Sequence, residues 1–155
     1  MWNPFKRKKW KDLGRAISAD TLHLCITTDA MIDDKIEVGI RDGVNLIRCI
    51  PVDDFKTLMF KSRKSDPEYA VDIFDCDDFG DTFMGDMKRG WEKVSRGNEA
   101  LAFGWAWVVM VGAKRGGSHW INWMVDECGI LHFIEPQRND FIKYGEIIKV
   151  LEVTQ

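Results

Sequence analysis

The chain has 155 residues, of which 45% are hydrophobic and 30% charged, and a net charge of -3. That length suits one domain with a sizeable core, and the charge gives no reason to expect specific nucleic-acid binding. The longest apolar run, Ala100 to Gly112, is too short to span a bilayer, and the start lacks the apolar stretch of a signal peptide.

Trp2 to Lys11 is basic and aromatic. It reads as a solvated N-terminus, or as a weak anchor for anionic lipid or a protein partner. Leu22 to Ile26 and Ile36 to Ile40 read as short strands around a polar loop. Arg41-Asp42-Gly43 is a turn signal, and Val44 to Ile50 the strand that follows. The Asp-Gly pair predicts a hairpin between these last two strands. Val52 to Phe60 reads as a helix with Asp53 or Asp54 at its start, and Lys61 to Pro67 as a charged loop.

Cys76, Phe79, Phe83, Met87, Trp91 and Val94 recur at helical spacing and make one face of a long helix. Asp75, Asp77 and Asp78 sit where acids suit its dipole, and Gly97 is a stop. Leu101 to Val111 is a continuous apolar run that predicts a buried central strand. Ser118 to Val125 and Ile130 to Ile134 flank Asp-Glu-Cys-Gly and predict a hairpin. A last strand runs from Ile142 or Gly145 to Glu152. A long helix segregated from a run of strands predicts an α+β fold with an antiparallel sheet.

Three residues attract attention as a set: Cys76, His119 and Glu135. A thiol needs an imidazole to become a thiolate, and the imidazole needs an acceptor to fix its tautomer. A three-residue loop, Glu127-Cys128-Gly129, would put His119, Ile121, Trp123, Val125, Leu131, Phe133 and Glu135 on one face. His119 and Glu135 then become diagonal neighbours. If the long helix packs on this face, Cys76 approaches His119. Cys76 would attack a carbonyl, His119 would shuttle the proton and Glu135 would orient the ring. Taken singly, each residue has a bland reading: a small buried thiol, a structural His, a solvated strand exit. His23 and His132 have no obvious partners. The run 112–117 is glycine-rich and basic but lacks the Lys-Ser/Thr of a P-loop, and reads as a loop beside His119.

These segments resemble the papain-like cysteine peptidase domain at the C-terminus of the Marasmius oreades agglutinin. The resemblance lies in Tyr69, Asp72, Asp75-Cys76-Asp77-Asp78-Phe79, Ala102-Phe103-Gly104, His119, Asn122 and Ile134-Glu135-Pro136-Gln137. It implies a papain-like α+β fold, with the long Cys-bearing helix packed on an antiparallel sheet or partial barrel. It also implies a Cys76, His119, Glu135 triad and calcium bound by Asp77 and Asp78. The acids at 72, 75, 77, 78 and 81 suit a hard cation on chemical grounds too. Residues 1–155 read as a single domain, with 1–65 of unassigned role and 69–153 as the papain-like core.

The expected function is therefore a thiol hydrolase acting on a peptide or protein substrate, activated by calcium. The rivals are an amidase or acyltransferase using the same triad, and a non-catalytic binding or assembly protein. No C-x-x-C pair occurs among Cys25, Cys49, Cys76 and Cys128. With no export signal, that predicts reduced thiols in a cytoplasmic protein.

Overall fold

A computed structural model describes residues 14–29, 32, 35–36, 38–40, 46–62, 76–95, 99–111, 117–143 and 145–155. The N-terminal basic segment, the Arg41-Asp42-Gly43 turn, Gly97, Tyr69, Asp72, Asp75 and residues 112–116 lie outside them.

The chain opens with β1 (Arg15–Ile17), α1 (Ala19–Thr27), β2 (Val38–Gly39), β3 (Ile47–Cys49) and α2 (Val52–Ser62). The long helix α3 (Cys76–Ser95) follows, then β4 (Ala100–Leu101) and β5 (Phe103–Met110). β6 (Ser118–Val125), β7 (Leu131–Glu135), β8 (Asp140–Phe141) and β9 (Ile147–Thr154) complete it. One sheet has the order β1-β3-β4 and the other β2-β9-β5-β6-β7-β8. Both are mixed: β2 runs parallel to β9, and β3 parallel to β4.

Several expectations hold. α2 is a helix over the segment expected, α3 is a helix where the apolar spacing put it, and β5 is a central strand between β9 and β6. Others do not. Leu22 to Ile26 is helix, not strand. Leu22, Leu24 and Ile26 alternate, which mimics a strand, but Leu22 and Ile26 are buried while Leu24 is 60% exposed. The i, i+4 pair sets the face. Ser18 caps this helix, its hydroxyl accepting from Thr21 N. The hairpin between the second and third predicted strands does not form either. β2 pairs with β9, whereas β3 pairs with β1.

The packing of α3 also departs from expectation. Phe83, Met87 and Trp91 pack with Phe103, Met124 and Ile134, not with the His119 to Glu135 face. That face is occupied instead by Leu22 and Ile26 of α1 together with Val108, Val150 and Val153. β5 and β6 are apolar on both faces and so need cover on both. The antiparallel sheet with one helical layer gives way to a sheet-rich arrangement buried on two sides, with three helices and nine strands among the described residues.

The layers are pinned at Gly104. Trp123 is fully buried, and its Nε1 donates to Trp105 O at 2.9 Å and Thr154 O at 3.1 Å. Asn122, also fully buried, donates from Nδ2 to Gly104 O at 3.1 Å and Gly80 O at 3.4 Å. A Cβ on Gly104 would lie 2.1 Å from Thr154 O and 2.7 Å from Trp123 Cζ2. Gly104→Ala should therefore cost about 3 kcal/mol or more, since backbone must move to admit the methyl. Gly39→Ala, whose methyl meets Thr154 Oγ1 at an ordinary 3.5 Å, should stay within about 1 kcal/mol. Urea midpoints at unchanged slope measure both.

Candidate functional site

The β6–β7 hairpin closes through Glu127-Cys128-Gly129. Gly129 adopts φ 84° and donates to Asp126 O, and Asp126 N donates to Ile130 O. Val125 pairs with Leu131 and Trp123 with Phe133. Register carries His119 and Glu135 to one end of the hairpin. His119 Nε2 lies 2.7 Å from Glu135 Oε2, and the second carboxylate oxygen accepts from Gln137 N at 3.2 Å. Glu135 is buried and His119 half-buried.

Cys76 is the first residue of α3 and is half-buried. The helix lies alongside β6 in the same direction. Asn122 holds Gly80, and Phe83 meets Phe103, the partner of Met124, at 5.7 Å. Cys76, one turn before Gly80, is thus directed toward the Ser118 end of β6, the end that bears His119. α3 itself seats on the Trp120, Asn122 and Met124 side, opposite to that predicted.

Asp77 and Asp78 occupy the first turn of α3. One turn on, the carboxyl of Asp81 is pushed above its ordinary range by burial, then by the charges of Asp77 and Asp78. Among the described residues, no three His, Cys, Asp or Glu side chains converge to hold a metal ion.

A second His–carboxylate pair was missed in the sequence. His132 Nε2 lies 2.8 Å from Asp126 Oδ2, while Asp126 Oδ1 accepts from Cys128 N and Ile130 N. His132 also meets the Phe141 ring edge-on at 5.8 Å. The signal was available: an Asp opening a tight loop bonds backbone two residues on. Burial raises the Asp126 pKa, but the bonds from His132, Ile130 and Cys128 outweigh it, and it ends below the ordinary carboxylate value.

Tryptophans form a further feature. On the α3 side of the sheet, Trp105 stacks on Trp120 at 4.1 Å, and Trp107 meets Trp120 edge-on at 5.4 Å. All three are half-buried. Glu152 pairs across from Trp107, and Lys149 and Ser118 from Val109, so their side chains share this face. Gly80 allows α3 to close over Trp120, for a Cβ there would lie 2.3 Å from Trp120 Cδ1.

Residues 49–141 match the family model of the agglutinin C-terminal domain. The chain belongs to that family. Among solved structures it is similar to a PSL1a–E64 complex, with 20% identity over 90% of this chain and 51% of that one, at a TM-score of 0.73. It is also similar to Polyporus squamosus lectin bound to the human-type influenza-binding epitope Neu5Aca2-6Galb1-4GlcNAc. There the identity is 21% over 87% of this chain and 49% of that one, at a TM-score of 0.66. The agglutinin domain therefore spans about half the length of the structures it resembles. No curated protein sequence matches.

These findings correct three expectations. The fold is similar to that of the PSL1a and Polyporus squamosus lectin structures, in place of the papain-like α+β fold with its Cys-bearing helix on an antiparallel sheet. The thiol-hydrolase function, with its amidase and acyltransferase variants, gives way to agglutinin membership and lectin neighbours. The description as a hydrolase or cysteine protease falls with it. No helix among the described residues is long and apolar enough to cross a membrane.

The Asp126 network has a measurable consequence. Its lowered pKa makes its contribution full above the unfolded carboxyl value near 3.8. That contribution is lost as pH falls through the lower folded value. Asp126→Ala strands His132 and two backbone N–H groups and should cost about 2–4 kcal/mol at neutral pH. The variant's deficit should shrink in acid, as urea melts across pH will record.

Proposed function

We propose that this domain binds carbohydrate, with the tryptophan patch of β5 and β6 as its sugar face. The observation that carries this reading is the cluster of Trp105, Trp107 and Trp120, each half-buried, on the α3 side of the sheet. A pyranose ring has an apolar C–H face and a rim of hydroxyls. Flat indoles suit the first. Glu152, Lys149 and Ser118 on the same face suit the second, since hydroxyls both donate and accept. A lectin among the structural neighbours supports the class of ligand.

Cys76, at the start of α3, enters this reading on the side of the patch, and His119 and Glu135 as a support behind it, not as a catalytic set. His119 and Glu135 stand at the Ser118 end of β6, where their mutual hydrogen bond holds the end of the hairpin under the patch from the other face. A saccharide takes the place of the peptide or protein partner. The cytoplasmic setting stays a proposal that rests on cysteine spacing.

Titration with Neu5Aca2-6Galb1-4GlcNAc, galactose and N-acetylglucosamine, read by tryptophan fluorescence and calorimetry, tests the site. Saturable binding is expected for at least one of them. Trp107→Ala should weaken it about tenfold or more, ~1.4 kcal/mol, with melting little changed. Glu135→Gln, on the opposite face of the sheet, should leave binding within about twofold. No binding by the intact chain, or equal binding by Trp107→Ala, refutes the reading.

Calcium at Asp77 and Asp78 belongs to the same proposal. Oxygen-only ligands suit that ion, and a cation would relieve the repulsion felt at Asp81. One helix start supplies only part of a ligand set. In chelator, the raised Asp81 pKa means its charge opposes folding at neutral pH, and this penalty vanishes as pH falls below the unfolded value. Asp81→Asn should then raise the melting temperature at pH 7 and not at pH 3. Calcium should raise melting of the parent chain, following RT ln(1 + [L]/Kd), and Asp77→Asn with Asp78→Asn should abolish that rise. Unchanged melting at millimolar calcium removes the metal from the proposal.

A further inference from the structure

A cavity of about 200 Å³ lies on the opposite side of the sheet from the tryptophan patch. Its apolar wall comes from Leu131 and Phe133 of β7, Ile147 at the start of β9, and Ile142 in the segment between β8 and β9. His132, held by Asp126 at 2.8 Å, Gly145 and two residues of opposite charge complete the lining: Asp29, just after α1, and Lys143. Both belong to fixed backbone. Asp29 N donates to Ile26 O, and its own C=O accepts from Ile32 N. Lys143 N donates to Glu146 Oε1, and Glu146 N returns a bond to Lys143 O. Glu146 is held in turn by Arg138 at 3.3 Å.

Size and charge together restrict the occupant. The volume is below the roughly 300–1,000 Å³ of pockets for drug-sized ligands, so an oligosaccharide or nucleotide is too large. Yet an apolar cavity of about 150 Å³ holds a benzene-sized ring. One acid and one ammonium at the same opening leave no net charge to attract a simple anion or cation. They match a molecule that carries both charges on one apolar body. A carboxylate has acceptor capacity for a ligand ammonium beyond any bond it already makes, and Lys143 can donate to a ligand carboxylate.

We infer that this cavity binds a free α-amino acid with an aliphatic or aromatic side chain. The side chain sits against Leu131, Phe133, Ile142 and Ile147. The ammonium faces Asp29 and the carboxylate faces Lys143. The inference is independent of carbohydrate binding, because none of these residues lies on the tryptophan face.

The test uses the full chain and three probes: L-leucine, L-leucinamide, which lacks the carboxylate, and N-acetyl-L-leucine, which lacks the ammonium. Calorimetry or backbone amide NMR titration should show saturable binding of L-leucine, with each analogue weaker by about tenfold, ~1.4 kcal/mol. Lys143→Gln should weaken L-leucine and N-acetyl-L-leucine but leave L-leucinamide unchanged. Asp29→Asn should weaken L-leucine and L-leucinamide but leave N-acetyl-L-leucine unchanged. Thermal melts of both variants confirm that each is folded. Absence of L-leucine binding up to about 10 mM overturns the proposal. So does either analogue binding as tightly as L-leucine, or a rim substitution that affects all three probes alike.

Discussion

The close approach of three strands and a helix at Gly104 governs the arrangement of the other parts. Trp123 reaches across β5 to Thr154 of β9, and Asn122 reaches through Gly104 O to Gly80 of α3. Adjacent residues of one strand point to opposite faces. Trp123 and Asn122 therefore fasten the two layers from one point, α1 and its core on one side and α3 on the other. A buried donor left unbonded is costly, so the bonds from Trp123 Nε1 and Asn122 Nδ2 fix positions as well as adding energy. The absence of a side chain at 104 is what lets β9 and the indole come this near.

That double-sided burial separates the functional surfaces. α3 covers Phe103, Met124 and Ile134 and comes against Trp120 at Gly80 on the same face, where Trp105, Trp107 and Trp120 stay half-buried. The other face is filled by α1 and leaves the small cavity near its edge. The two His–carboxylate pairs sit at opposite ends of the β6–β7 hairpin. His119 and Glu135 meet at the open end of the hairpin, while His132 and Asp126 brace its loop. Asp126 bonds backbone and imidazole at once, so its removal affects both the turn and the strand beside it.

The agglutinin family is carried by short segments whose roles are now physical. Gly104 is needed for strand approach, Asn122 for the clamp, and Ile134 packs in the core with Phe103 and Met124. Three of the resembling segments are thus architectural. Such residues mark a fold, and a fold hosts different functions. The inference from Cys76, His119 and Glu135 to a thiol hydrolase leaned on the same segments. Family and structural neighbours replaced that function while leaving the His119–Glu135 contact in place.

From its sequence alone the chain determined what depends on neighbours along it. Helical spacing defined α3 from Cys76, and the Cys-Gly loop defined the hairpin register that joins His119 to Glu135. Both follow from local periodicity and turn chemistry. The tertiary structure decided which face α3 would cover. A strand apolar on both sides carries no local mark of which partner takes which side. It also turned Leu22 to Ile26 into helix, because burial chose the i, i+4 pair over alternation. The parallel pairing of β2 with β9, and the tryptophan patch and the cavity, arise from residues far apart in sequence. Such contacts are chosen by the global burial of apolar surface, which no local pattern encodes.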